Sequence, residues 1–441
     1  MRKRFLLIAV VLCNIILCQG QNNNLSDEDA TALHRSQKAL TDVIIHDIFS
    51  PPVASRIYVY ANIAAYEVLV QQSSSYKSLH GLLKDMPQTP APVKPVSSSL
   101  AAVYAFMITG KRLVFSEPLL EDSLQNILAY FKTKGLSETV YSASLAYGQQ
   151  VADTIMSWVM KDQYRETRKL RRYRYSKQEG KWIPTPPGYI DAVEPYWNKI
   201  RTLVMDSCNQ FRPVAALTFS KEKGSDFYNQ AYEVYEAGNK LTEEQKAVAN
   251  FWDCNPFFLN TEGHLNFATK KISPGGHWMS IAGIVSQNVH AGIMKASAAY
   301  TFTAIALFDG FISCWDEKYR SNVIRPETYI NAYIDESWRP ILQTPPFPEY
   351  TSGHSVVSTA ASKALIFLYG DNIAFDDYTE VEFGLPSKHF NSFSQACNEA
   401  AISRLYGGIH YRAAIENGQK QGAQIGNYIV QQVLHKAIIQ H

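Results

Sequence analysis

With 441 residues, 46% of them hydrophobic and 19% charged, the chain has enough apolar side chain for a large core, which excludes a mainly disordered protein. A formal net charge of +2 leaves no overall basic excess for a polyanion such as nucleic acid.

The opening "MRKRFLLIAVVLCNIILCQG", residues 1–20, is laid out as a secretory signal peptide: a basic start, an apolar run from Phe5 to Leu17, then small residues at Cys18 and Gly20. Cleavage is expected after Gly20, which makes the mature protein periplasmic or extracellular. A lipid anchor on Cys18 is disfavoured, because Leu17 stands where a lipobox has a small residue. The other cysteines, Cys208, Cys254, Cys314 and Cys397, are widely spaced without a CxxC pair, so a zinc site is not expected. In an oxidising compartment they allow three disulfide pairings, and Cys314, in an apolar run, reads as a buried free thiol.

A polar spacer leads into helical periodicity from Asp27 to Gln72, broken by Pro51-Pro52, which should end one helix and start the next. The proline-rich "MPQTPAPVKPVSSSLAA" reads as a linker or extended loop, and a helical pair is expected between Ser97 and Lys161. The basic and tyrosine-rich "RETRKLRRYRYSK" lies in no nucleic-acid module and reads as a solvated surface segment. From Arg165 to Pro195 irregular structure should pack across the helices and line a cleft. The run from Ala296 to Trp315 is as long as a membrane span, but it carries Asp309 and scattered hydroxyls and has no apolar neighbours of its kind. It reads as the buried central helix of a bundle, with no integral span after signal cleavage. The expected fold is an all-α helical bundle: an N-terminal helical region over residues 21–240 and a catalytic region over residues 241–441.

Three clusters carry chemistry. In "KYRSNVIRPETYI", Lys318 and Arg325 are separated by six residues, close to two helical turns, which would put two cations on one face; Pro326 takes Arg325 out of helical backbone. In "PEYTSGHSVV", Ser352, Gly353 and His354 precede an apolar helix. They read either as an ordinary cap or as an oxyanion site, since free N–H groups and the helix dipole both attract anions. In "SRLYGGIHYRAAIENG", Gly407-Gly408 should break a helix so that Arg404 and His410 can face one point; Arg404 could instead pair with Glu399.

Together these clusters resemble the signature of the type 2 phosphatidic acid phosphatase and vanadium-dependent haloperoxidase superfamily. That signature is a lysine and an Arg-Pro separated by six residues, a Ser-Gly-His, and a Ser-Arg followed after five residues by histidine. The match spans about the last 130 residues, with weaker likeness in "FWDCNP", "SPGGHW" and "PTPPG". The resemblance implies that Lys318, Arg325 and Arg404 neutralise the oxygens of phosphate or vanadate, and that Ser352 and the Gly353 N–H complete the cradle. It makes His410 the axial vanadium ligand or phosphorus nucleophile, and His354 the acid-base group. Trp315 and Phe347 stand where fungal chloroperoxidases of the family place aromatic residues, implying a halide pocket or a packed wall. Two departures are Thr351, where proline is common, and Ala414, where an aspartate often orients the axial imidazole; Glu416 or a backbone carbonyl is the expected substitute. The resemblance thus implies a vanadate-dependent haloperoxidase acting on halide and hydrogen peroxide. The alternatives are a cofactor-free soluble acid phosphatase acting on a phosphate ester, and a non-catalytic oxyanion-binding protein.

Overall fold

The computed structural model describes residues 29–262, 265–268 and 270–439; the expected signal peptide, residues 1–20, lies outside the described residues. Helix α1 (Thr31–His46) begins where the Asp29 carboxylate accepts the Thr31 N–H at 2.8 Å. Helix α2 (Pro51–Val70) starts on the Pro51-Pro52 pair, whose fixed φ suits a first turn. The region from Ser97 to Lys161 holds three helices rather than the expected pair: α3 (Ser98–Lys111), α4 (Glu117–Lys132) and α5 (Glu138–Val159). The extra break falls at the loop before Pro118, with a second at the Gly135 turn (φ 74°), where positive φ suits glycine. A single turn, α6 (Tyr164–Thr167), then leads into the irregular segment.

Helices α7 (Asp226–Asn239) and α8 (Glu243–Phe251) follow, the second opened by a capping box between Thr242 and Gln245. A hairpin of β1 (Leu259–Glu262) and β2 (Leu265–Ala268) precedes α9 (Pro274–Asn288), α10 (Ile293–Ser321), α11 (Pro326–Tyr333) and α12 (Gly353–Tyr369). A second antiparallel pair, β3 (Phe375–Asp377) with β4 (Lys388–Phe390), leads to α13 (Phe393–Tyr406) and α14 (Arg412–Ile429).

The expected all-α bundle is what forms, with α10 at its centre against α2, α9, α12 and α14. Among the described residues α10 alone is long and apolar enough to cross a membrane, yet that apolar stretch is buried in protein. Its Asp309 is no anomaly, because the carboxylate accepts the N–H groups of Leu203, Val204 and Met205 at 2.7, 2.8 and 3.0 Å. A buried polar group costs little once hydrogen-bonded in this way. The segment from Arg165 to Pro195 does lie across the bundle: the Val193 carbonyl accepts from Trp315 Nε1 at 3.1 Å and from the Tyr319 hydroxyl at 2.6 Å, both on α10. Cys208, Cys254, Cys314 and Cys397 are all thiols, so none of the possible disulfides forms, while Cys314 is buried and unpaired as expected.

Glycines bring α14 onto α12. Gly418, Gly422 and Gly426 recur every fourth residue, one helical turn apart, and a Cβ on them would stand 3.0, 2.2 and 2.9 Å from the carbonyl oxygens of Ser352, Val356 and Ala360. The two backbones therefore touch, which fixes the start of α12 against the loop that leads into α14.

Candidate active site

Each expected cluster sits at a helix end. Lys318 is in the last turns of α10, which stops at Asn322 in the left-handed region (φ 52°). Arg325 is the N-cap of α11, with extended backbone before Pro326. The two cations are therefore not on one helical face, as their spacing suggested; the break at Asn322 turns Arg325 inward instead. Ser352 is the N-cap of α12, its Oγ accepting the Ser355 N–H at 3.3 Å, so its hydroxyl serves the cap reading. Arg404 ends α13, and the turn at Gly408 (φ 76°) returns the chain so that His410 faces the same cavity. Arg404 does not pair with Glu399, which is taken by Lys388 at 2.7 Å and by Trp252 Nε1 at 3.0 Å.

One cavity is lined by Trp315, Phe347, Gly353, His354, Arg404 and His410, together with Asp253, Cys254 and Asn255 from the chain after α8. Lys318 and Arg325 are wholly buried behind it. Arg325 Nη1 approaches His410 Nε2 at 3.2 Å and donates to the Ile409 carbonyl at 2.9 Å, while its Nε donates to the Phe347 carbonyl at 2.9 Å. Arg404 Nη1 donates to the Trp252 carbonyl at 2.8 Å and approaches His354 Nε2 at 3.1 Å. The Phe347 ring packs on Trp315 with centroids 4.9 Å apart, and Lys318 Nζ and Arg325 Cζ each lie 5.1 Å from its centroid. Phe347 is thus a wall residue and a cation-π partner at once.

Lys318 is tied to the backbone of the segment before α12. Its Nζ donates to the carbonyls of Pro348, Glu349 and Thr351 at 3.0, 3.0 and 2.6 Å, which occupies all three of its N–H groups. The lysine holds the chain that enters α12, and its charge reaches the cavity through space. Burial pulls its pKa down to about 7, and the neighbouring Arg325 acts in the same direction.

The group that orients His410 is one the sequence reading missed. Neither Glu416 nor a carbonyl does so: Glu349 Oε1 lies 2.8 Å from His410 Nδ1 and also accepts the Tyr411 N–H at 3.0 Å. Glu349 is in plain view in "PEYTSGH", but no spacing rule links it to a histidine 61 residues later. Position 414 still matters through its backbone, since the Ala414 carbonyl accepts the Ser352 N–H at 3.1 Å. With Nδ1–H given to Glu349, the lone pair of His410 is on Nε2, facing the cavity. Burial and then Arg325 hold the pKa of His410 well below the usual value, and burial and then Arg404 do the same for His354. Both rings are neutral at physiological pH.

Arg325 Nη2 and Arg404 Nε and Nη2 are buried with no hydrogen-bond partner among the described residues. Buried, unpaired guanidinium N–H groups are costly unless an anion meets them, and their fork suits a tetrahedral oxyanion. These donors, beside the cavity-facing Nε2 of His410, fit vanadate.

Residues 332–438 match the family described as the VCPO second helical-bundle domain. Among curated proteins, none matches the chain. Among solved structures, a bacterial vanadium-dependent iodoperoxidase is 50% identical, with 91% of this chain and 96% of that one covered and a TM-score of 0.87. A bacterial vanadium-dependent chloroperoxidase in its holo form has a TM-score of 0.67 at 16% identity, covering 93% of this chain and 98% of that one. Its apo form has 0.65 at 18% identity, covering 88% and 94%. The chloroperoxidase shares the fold, and the iodoperoxidase shares half the sequence over nearly the whole of both chains; with the cavity built as it is, the chain belongs to the vanadium-dependent haloperoxidases.

Proposed function

We propose that the chain oxidises iodide with hydrogen peroxide, using vanadate held by His410, Arg325 and Arg404. The observation that carries this reading is the His410 Nε2 lone pair set among guanidinium N–H groups that have no other acceptor. Bound vanadate would supply Lewis-acid activation of peroxide toward attack by a halide. Glu349 keeps the His410 tautomer in which Nε2 faces the cavity. Arg325 and Arg404 compensate the negative charge on the oxygens, and the first-turn N–H groups of α12 at Gly353 and His354, which have no intrahelical acceptor, add to that compensation. His354, kept neutral by burial and by Arg404, accepts a proton from peroxide as it binds and returns it to the departing oxygen. Trp315 and Phe347 give a weakly hydrated, polarisable halide an apolar face away from water.

Iodide rests on the half-identical iodoperoxidase. The same cradle could serve phosphoester hydrolysis, but the three structures compared are peroxidases, which favours the oxidative reading. The basic-then-apolar opening supports export of the mature enzyme. The test is halide oxidation by purified protein with and without orthovanadate. Iodide turnover should require vanadate and greatly exceed bromide turnover. Turnover that ignores vanadate, or equal rates on the two halides, would reject the proposal.

A further inference from the structure

Behind the cavity wall a second polar cluster is buried. Cys254 follows α8, His277 lies in the first turns of α9, and Glu380 precedes the short turn at Val381–Phe383 after β3. Their exposures are 2%, 0% and 4%. His277 Nδ1 is 3.4 Å from Cys254 Sγ and 3.2 Å from Glu380 Oε1, and the three atoms lie within 4.8 Å of one another. Glu380 Oε1 has no hydrogen-bond partner among the described residues. On the other side of the ring, His277 Nε2 is 2.7 Å from Asp377 Oδ2, and Asp377 Oδ1 accepts the Thr379 N–H at 3.0 Å. Trp252 stacks on the imidazole with centroids 4.5 Å apart.

We propose that Cys254, His277 and Glu380 bind a divalent cation of the zinc class, separate from the vanadate site. Tetrahedral zinc with bonds of about 2.3 Å to sulfur and about 2.0–2.1 Å to nitrogen and oxygen sets its ligands about 3.5 Å (N to S) and about 3.3 Å (N to O) apart. The distances here match both edges. Asp377 takes the Nε2–H, leaving the Nδ1 lone pair toward the cluster, as a carboxylate behind a metal-binding histidine does. A thiolate donor selects against calcium and magnesium, and three protein ligands leave one position for solvent. The cation would tie together three segments distant in sequence. Because Trp252 both stacks on His277 and accepts from Arg404, it would also fix the wall that holds Arg404.

The test begins with elemental analysis of the vanadate-loaded enzyme, purified without chelator. Metal-stripped wild-type protein is then titrated with Co²⁺. About one zinc per chain, or a thiolate-to-cobalt charge-transfer band in the near ultraviolet, supports the site. Cys254→Ser should remove the band and lower zinc content at least tenfold. If that variant does not fold, the wild-type titration still decides. Folded wild-type protein with neither zinc nor the cobalt band overturns the proposal and leaves His277 as an imidazolium between Asp377 and Glu380.

Discussion

Glu349 Oε1 sits 2.8 Å from His410 Nδ1, in a chain that carries alanine at position 414, where relatives in the superfamily often place an aspartate for the same imidazole. The acceptor comes from the segment before α12 instead of from the helix after His410. Glu349→Ala should lower vanadate affinity or turnover by about 10- to 100-fold, the usual cost of losing the group behind a ligating histidine. Glu349→Gln, which keeps an acceptor oxygen, should lose less. Equal losses in the two variants, measured by vanadate titration and iodide oxidation, would show that the negative charge matters and not the acceptor.

His410 and His354 should separate in their effects. His410→Ala removes the imidazole that Glu349 orients with its Nε2 lone pair toward the cavity, beside Arg325, so vanadate binding and turnover should both disappear. His354→Ala should keep most of the vanadate affinity and lose about 10²- to 10⁴-fold in rate, as expected for loss of proton transfer. A parallel fall in vanadate affinity would put His354 in the cradle.

The contact between α12 and α14 leaves no space for a methyl group at Gly422. Its Cβ would stand 2.2 Å from the Val356 carbonyl, which is backbone and cannot rotate away. Gly422→Ala should cost about 3 kcal/mol or more and weaken vanadate binding, because α12 carries Gly353 and His354. Gly310→Ala on α10 is the control. There the new Cβ meets nothing closer than 3.7 Å, and stability should hold or rise by up to about 1 kcal/mol. Urea unfolding of the two variants checks this, and a stable Gly422→Ala protein with normal vanadate affinity would refute the packing argument.

His34 on α1 sets a pH dependence of stability. Burial pulls its pKa from 6.5 to about 4, and its Nδ1 pairs with the Tyr300 hydroxyl at 2.7 Å. The folded pKa lies below the unfolded one, so the unfolded chain takes up the proton first as pH falls. The contribution is complete above pH 6.5 and is lost progressively between about 6.5 and about 4, by up to about 3 kcal/mol. His34→Gln should lose less stability than wild type over that window. Parallel curves from urea unfolding at pH 7.5, 5.5 and 4.5 would show that His34 does not cause the loss.

Helices, caps and site motifs were legible because each is local. Pro51 and Pro326 start helices through their own fixed φ, and Gly408 turns the chain before His410 through its own positive φ. Ser352 caps α12 through a bond to a residue three positions away, and the apolar run of α10 is long enough to mark a buried centre. The clusters around Lys318, Arg325, Ser352 to His354, and Arg404 with His410 could therefore be named from residue order. Whether each side chain in them keeps a free donor could not. Lys318 gives all its N–H groups to carbonyls beyond residue 347, while Arg325 and Arg404 keep unpaired ones, and only the packing of the 347–352 segment against α10 and the 409–411 turn decides that. Glu349 finds His410, and Cys254 finds His277 and Glu380, across separations that carry no periodicity, since a hydrogen bond or ligand set between distant segments depends on where whole helices come to rest. Sequence determines the helices and the residues at their ends; the close approach of helix backbones, at Gly422 among others, decides which of those ends meet.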